Sequence, residues 1–571
     1  MSHSPQAPTY RVPVISLLLF AGLFLFAVIA LPRASRATRA LPQTSRSANG
    51  KHLRPEFVPG HVLVRYKDEA AAKRQQKTMT ALSVAGRSIP VQIERFDASD
   101  MVAGLRLAHV AAEDTMNAIQ ALKARSDVLY AEPDFIMHAD LTPNDPQFAS
   151  LYGLTKIGAP TAWNTSTGSS SVVVGVIDEG IDVNHPDLQA NIWVNPSPGA
   201  IAGFPGDVNG WNFINNTGSV FGPSTGYVIP CKPGPPPSGN NCDETDSHAT
   251  HVAGTIGAVG NNNVGVVGVN WNVRLMSLKF LGPGGGISSD ALRAMSYAKA
   301  QRDLFISSGG AQGANVRVLN NSYGGGGFTQ AFLDGINAIN QSGILFVAAA
   351  GNDGRNNDTA PHYPSSYKAP NVIAVAWTDQ NDDLHPLSNF GQQSVYVSAP
   401  GSSILSTTPT STYDTFSGTS MASPHVAGSA ALLLAKNPNL TVAQVKSLLI
   451  FNGDVVATQA GKTFTGRRLN VGNSFAALAS NDTTPPGAVT NFHESHTGRS
   501  FDLGWTASGG DGAAGQAALY QLSFTDAVTG KVVQLQNVVP AASGTPQTLT
   551  VKVPYGHTDG TITLREFDNV G

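Results

Sequence analysis

The stretch Val172-Val173-Val174-Gly175-Val176-Ile177-Asp178 is an apolar, β-branched run too short for a typical helix, and it ends in a carboxylate with Gly180 close behind. This pattern predicts a strand buried on both faces, as in a parallel sheet, with Asp178 at its carboxyl end. Apolar runs at 172–177, 273–280, 316–319, 344–349 and 371–376 alternate with helical stretches, which predicts βαβ units and an α/β doubly wound parallel sheet. In such sheets ligands bind beyond the carboxyl ends of the strands. Asp178 therefore stands where chemistry is expected.

Two further motifs offer it partners. Asp246-Ser247-His248-Ala249-Thr250-His251-Val252-Ala253-Gly254-Thr255 opens a helical segment with Asp or Ser as cap and a histidine in the first turn. Gly418-Thr419-Ser420-Met421-Ala422-Ser423-Pro424-His425-Val426-Ala427-Gly428 sets Ser420 among small residues at the head of another helix. The free N–H groups and dipole of such a helix favour an oxyanion formed nearby. A hydroxyl is a poor nucleophile until a base takes its proton and a carboxylate orients that base. His248 is the candidate base, with His251 one turn away as its competitor. Taken singly, each residue has an ordinary reading as a cap, a turn residue or a packed imidazole.

The chain order Asp, His, Ser on an α/β background is that of subtilisin. From about Leu151 to Ala479 the sequence resembles the subtilisin-type serine proteases, on the three motifs above together with Ala348-Ala349-Ala350-Gly351-Asn352-Asp353-Gly354. The resemblance implies that Asp178 orients, His248 is general base and then acid, Ser420 attacks, and the Asn352 side chain donates to the oxyanion. Ala249 departs from the glycine usual after the catalytic histidine, a small change within a helix. Ser322-Tyr323-Gly324, in a strand that runs into a glycine-rich edge, would pair with extended substrate as an added strand and give broad specificity. His362, before Tyr363-Pro364, is either the floor of the first specificity pocket or a surface loop histidine.

The loop Gly260-Asn261-Asn262-Asn263-Val264-Gly265-Val266 resembles the calcium loop of subtilisins and offers hard oxygen ligands. Carried over, the Ca²⁺ ligands are the Asp187 carboxylate, the Asn262 side chain and the carbonyls of Gly260, Val264 and Val266. A second, weaker cation site of some relatives is not expected, because Tyr396 stands where a liganding Asp would be. Cys231 and Cys242 lie in an inserted loop rich in Pro, Gly and Asn. The family's catalytic groups include no thiol, so a disulfide is expected, contributing roughly 3 kcal/mol on the loop-entropy model.

At 571 residues the chain should hold several domains. Its net charge of −3 and 13% of charged residues, against a usual ~25%, argue against nucleic acid as a partner. Residues 1–40 carry an apolar run from Val14 to Leu31, with Arg11 before it and Arg33, Arg36, Arg39 and Arg46 after it. The run is read as a secretory signal peptide, with a membrane anchor as the alternative. A linker at 41–55 follows. Residues 56–140 read βαββαβ, the ferredoxin-like α+β unit, and resemble the propeptide of subtilisin-type proteases, a folding template and intramolecular inhibitor. Self-cleavage is expected between Ile136 and Pro143. The peptidase domain spans 141–480 and a Pro-containing linker 481–487. Residues 488–571 alternate as an all-β sandwich and resemble, through Trp505 and Tyr520, a fibronectin type III domain. It is expected to be incomplete, because Thr561 to Gly571 looks like a penultimate strand, and to bind a cell-surface or polymer ligand.

The expectation is a secreted, calcium-stabilised serine endopeptidase made as a self-processing zymogen and acting on protein or peptide substrates. The alternative is a catalytically inactive subtilisin-fold adhesion protein.

Overall fold

The computed structural model describes residues 57–84, 86–136, 141–223, 246–480, 484–497, 500–512, 516–553 and 559–571. The apolar run at 14–31, the linker at 41–55 and both cysteines lie outside these residues. The chain divides into two compact units, Met1–His138 and Ala139–Gly571.

The second unit is built on a nine-stranded sheet. Its order is Asp454–Val455, Arg467–Arg468, Val397–Pro400, Val372–Thr378, Leu345–Ala349, Val316–Asn321, Gly168–Asp178, Asn272–Lys279 and Gly210–Asn212. Pairing is parallel from Arg467–Arg468 across to Gly210–Asn212, and Asp454–Val455 adds antiparallel. The expected runs form the middle of this sheet. Four strands lack such a run: Gly210–Asn212, Asp454–Val455 and Arg467–Arg468 have only two or three residues, and Val397–Pro400 is broken by Ser398 and ends in proline.

Successive side chains of a strand point to opposite faces, and Gly168–Asp178 uses both. Val172, Val174 and Val176 enter a core shared with helices Ser247–Gly257 and Thr419–Lys436, whereas Val173 and Ile177 enter one shared with helices Ser288–Ser307 and Gln330–Gln341. The continuous apolar run is thus the signature of a strand covered twice. One covering helix begins with the base motif and another with the serine motif, so their N-termini meet the same sheet edge as Asp178.

The first unit has a four-stranded antiparallel sheet in the order Gln92–Glu94, Leu105–His109, Phe57–Tyr66, Val128–Phe135, with helices Glu69–Thr78 and Thr115–Lys123. This is the ferredoxin-like arrangement, with one correction. The helix expected from Asp68 to Leu82 ends at Thr78, because Leu82 pairs with Ile89 in an added hairpin, Ala81–Val84 with Arg87–Pro90. Gly86, at φ +79°, supplies the left-handed backbone of that turn.

Residues beyond 488 form two three-stranded antiparallel sheets, Thr490–Thr497, Ser500–Thr506 and Pro546–Lys552 against Val532–Val538, Leu519–Asp526 and Gly560–Phe567. Leu503, Trp505, Tyr520, Leu522, Phe524 and Val551 fill the space between them. The sandwich is joined to the large sheet's unit by apolar packing as well as polar contacts. Leu519 lies in the main core and Phe567 and Val570 pack against it. Asn537 donates to the Tyr396 hydroxyl at 2.6 Å, and Lys531 pairs with Asp334 at 2.9 Å.

Tyr396 also receives a charge. The Lys446 ammonium lies 3.8 Å from its ring centroid and donates to the Pro370 carbonyl at 3.2 Å. Lys446 is 4% exposed, and among the described residues no carboxylate pairs with it. Burial lowers its pKa to about 7. Unfolding restores a value near ~10.4, so burial of the charge costs stability as pH falls from that value toward 7, and fully below it. Lys446→Met should therefore raise the unfolding midpoint at pH 6, with the gain shrinking toward pH 10 in thermal melts; an equal gain at both would contradict this.

Candidate active site

Asp178 ends its strand fully buried. Its Oδ1 accepts the Glu179 N–H at 2.8 Å and lies 2.8 Å from His248 Nδ1. A carboxylate against Nδ1 places the proton there and leaves Nε2 as the basic nitrogen. The His248 side chain keeps 22% of its surface exposed. Burial works against its imidazolium, but the Asp178 charge and hydrogen bond, with Glu179 behind them, outweigh it and raise the pKa.

The helix carrying His248 starts differently from the expected Asp or Ser cap. Asp246 precedes it at φ +57° and makes no capping bond. Its carboxylate instead pairs with buried Lys279 and accepts the Gly222 N–H at 2.8 Å. Glu179 Oε2 takes the His248 N–H at 3.2 Å. Burial above all pushes Glu179 up to about 7, countered by His248 and reinforced by Asp178 and Asp246. His251 points away, toward the Ile404 carbonyl at 2.8 Å, and stacks on Phe416 at 4.4 Å. Burial drops its pKa to about 3, so it is a neutral packing residue. Ala249 is fully buried within the regular helix.

Ser420 sits in the first turn of Thr419–Lys436. Its hydroxyl donates to the Ser322 carbonyl at 3.0 Å, and the Ser322 hydroxyl donates to the Ser420 carbonyl at 2.9 Å. Among the described residues no hydrogen bond joins Ser420 to His248. Asn352 is held by its oxygen: Oδ1 accepts the Thr419 N–H at 2.9 Å and the Thr419 hydroxyl at 2.8 Å. That leaves its exposed Nδ2 as the donor facing outward.

Ser322, Tyr323 and Gly324 leave the strand Val316–Asn321, and the chain is exposed from Gly324 to Phe328. The Tyr323 hydroxyl donates to Asn321 Oδ1 at 3.1 Å. A Cβ on Gly324 would lie 1.9 Å from His362 Cε1, and one on Gly351 would lie 2.9 Å from His362 Cδ2. His362 is therefore a half-buried wall of the cleft between two glycines, with a pKa lowered by burial. Beside this edge lies a cavity of about 270 Å³ lined by Phe280, Leu281, Ile287, Tyr323, Phe332 and Tyr367.

A second cluster surrounds Asp187. Its Oδ1 accepts from Asn262 Nδ2 at 2.8 Å, and its Oδ2 accepts from the Val266 N–H at 2.8 Å and the Tyr413 hydroxyl at 3.2 Å. Asp145, which the sequence reading passed over, is 4% exposed; its Oδ2 accepts the Asn261 N–H at 2.7 Å. Its Oδ1 has no hydrogen-bond partner among the described residues. Burial raises the pKa of both carboxylates, that of Asp187 to about 6, with Asp145 adding to the effect. Two buried acids and an orphaned oxygen fit a hard cation. The Asn262 amide presents nitrogen to Asp187 and accepts the Val264 N–H on its oxygen at 2.8 Å, so a cation ligand set needs both of these bonds rearranged.

The family model described as the subtilase family, Peptidase_S8, matches residues 169–470. The chain belongs to the subtilase family. A thermophilic serine proteinase of Bacillus sp. (strain AK1) is 32% identical over 75% of this chain and 90% of the relative. Thermitase of Thermoactinomyces vulgaris is 37% identical over 52% of this chain and 86% of its own. An extracellular protease of Xanthomonas campestris pv. campestris is 35% identical over 68% of this chain and 67% of the relative. The model of the fervidolysin N-terminal prodomain matches residues 43–134, so this subtilase carries its prodomain in the first unit. It is a serine-type endopeptidase.

In this subtilase Gly324→Ala should force the His362 ring to move and lower kcat/KM on peptide substrates by about tenfold, a loss typical of misplaced substrate contacts. His362→Gly in the same chain should restore most of it; a double variant as impaired as Gly324→Ala would show that the two residues do not share a wall.

Proposed function

We propose that this subtilase hydrolyses peptide bonds through Asp178, His248 and Ser420. The observation that carries this reading is the 2.8 Å contact between buried Asp178 and His248 Nδ1, at the sheet edge where the Ser420 helix also begins. The Ser420 hydroxyl oxygen attacks the substrate carbonyl carbon while His248 Nε2 takes its proton. The resulting oxyanion is met by Asn352 Nδ2 and the Ser420 N–H. His248 then gives the proton to the leaving amine, the C–N bond breaks, and an acyl-enzyme remains. Water then attacks the acyl carbon as His248 takes its proton, the ester C–O bond to Ser420 breaks to release the acid, and His248 returns the proton to the Ser420 oxygen.

Substrate adds as a strand along Ser322, Tyr323 and Gly324, a main-chain mode that supports broad specificity. The cavity beside that edge, with Phe280, Leu281, Ile287 and Phe332 on its wall, has room for an aliphatic or aromatic side chain of the substrate. The prodomain acts as the intramolecular inhibitor until the chain cuts itself, and the product is secreted. Among the described residues no helix is long and apolar enough to cross a membrane. Residues 488–571 act as a fibronectin type III-like accessory domain.

Ser420→Ala should leave the purified precursor uncut and unlabelled by a fluorophosphonate, whereas the parent chain is processed, labelled and active on casein. Asn352→Leu should keep labelling but lower kcat by roughly 10²–10³, the range known for the equivalent donor of subtilisin itself. Processing that persists in Ser420→Ala would end this reading.

Ca²⁺ is the proposed structural ion, held by Asp187, Asp145, the Asn262 amide oxygen and the carbonyls of Gly260, Val264 and Val266. It would neutralise the two buried acids and fix the loop against the start of the catalytic unit. Chelation should lower the unfolding midpoint of the parent chain and leave that of Asp145→Asn nearly unmoved. Equal midpoints with and without chelator in the parent would remove the metal.

A further inference from the structure

Two neighbouring carboxylates converge on one histidine. Asp178 meets its ring at Nδ1, 2.8 Å away, and Glu179 meets its backbone N–H at 3.2 Å. The proposed mechanism gives Asp178 a task and Glu179 none. Yet Glu179 takes the place of the missing helix cap, because Asp246 is committed to Lys279 and to the Gly222 N–H.

We propose that Glu179 is a positioning residue for the base, tying the first turn of the Ser247–Gly257 helix to the end of the Gly168–Asp178 strand and supporting the imidazolium that forms during attack. This inference rests on the triad reading above. A carboxylate at a helix N-terminus is favoured by the free N–H groups and by the dipole. Here it comes from the sheet instead of from the helix's own cap, so one bond sets the helix register against Asp178. The carboxylate meets His248 at its backbone N–H and not at the ring, so its charge favours the protonated imidazole without occupying Nε2.

The titratable and charged groups around the pair come from every element packed there. Asp178 lies on the same strand, Asp246 ahead of the helix with Lys279 on the neighbouring strand, His251 one turn along, and Tyr323 past the next strand. Asp246 is paired with Lys279 yet still adds to the rise of Glu179, and His251 stays uncharged. Glu179, which burial holds at about 7, and His248, raised to about 9 against its burial by Asp178, therefore titrate as a linked pair. Loss of the Glu179 charge weakens the imidazolium, so the free base persists to lower pH.

The test is kcat/KM and kcat against pH for a chromogenic peptide, using the full chain after maturation and active sites counted by fluorophosphonate labelling. Glu179→Gln keeps an acceptor for the His248 N–H and removes the charge. It should lower the plateau kcat about threefold and move the acid limb down by about one unit, the effect of one charge a few ångströms away in a partly screened site. Glu179→Ala removes the acceptor too and should lose about a further tenfold in kcat with KM nearly constant, and Glu179→Asp should recover part of it. Superimposable acid limbs for the parent and Glu179→Gln overturn the proposal, as does a loss confined to KM. If Glu179→Ala does not fold, Glu179→Gln decides alone. A parent chain that hydrolyses peptide without being labelled refutes the triad reading and this inference with it; a labelled parent with unshifted limbs refutes this inference only.

Discussion

A carboxylate buried at the end of a parallel strand is the constraint on which this subtilase turns. Asp178 has no exposed surface, and its charge is tolerable because Oδ1 meets a backbone N–H and the His248 ring. Those partners must be present when the strand is covered. The helix that supplies His248 is also the lid over Val172, Val174 and Val176. Packing the core and aligning the base are therefore one event, and Ala249, buried in that interface, shows how tightly the helix is seated.

The opposite half of the cleft follows from the same sheet. Ser322 is one residue beyond a strand paired directly with Gly168–Asp178, and it exchanges hydrogen bonds with Ser420 in both directions. Asn352, beyond the next strand, is clamped by Thr419. Ser420, Asn352 and Ser322 thus share short polar links, directly or through Thr419, although Asn352 and Ser322 lie just past the ends of their strands. Rigidity of this kind is what catalysis by preorganised donors requires.

Much of this was legible in the sequence, for physical reasons that differ by element. Val172–Asp178 could be read because a strand covered on both faces needs an unbroken apolar run. Gly210–Asn212 and Arg467–Arg468 could not, since two or three residues carry no period. His248, Ser420 and Asn352 stood out because each sits among small residues near an element boundary, and Asp178 because it ends an apolar, β-branched run. Glu179 and Asp145 did not. Glu179 looks like an ordinary turn residue after a strand, and its meaning lies in a contact across 69 residues of chain. Asp145 lies between Asn144 and Pro146 in a stretch that reads as a connector, and only the fold brings it to the loop around Asn261. The overshoot at Leu82 has a simpler cause: its apolar side chain continues the helical pattern, but pairing with Ile89 is the better burial.

The segment around Asp145 sets a limit on the mature protein that its catalytic groups do not reveal. Asn144 accepts the Asn263 N–H at 2.9 Å, Asp145 accepts that of Asn261, and the Gln147 N–H donates to the Gly265 carbonyl at 2.9 Å. These bonds stitch the beginning of the catalytic unit onto a loop more than a hundred residues later. Ahead of them the Leu141 N–H donates to Asn164 Oδ1 at 2.9 Å, so shortening this segment from Leu141 onward undoes its bonds one after another. If the prodomain is released as proposed, the stitched segment becomes a built-in stop against nibbling of the new end by other copies of the protease.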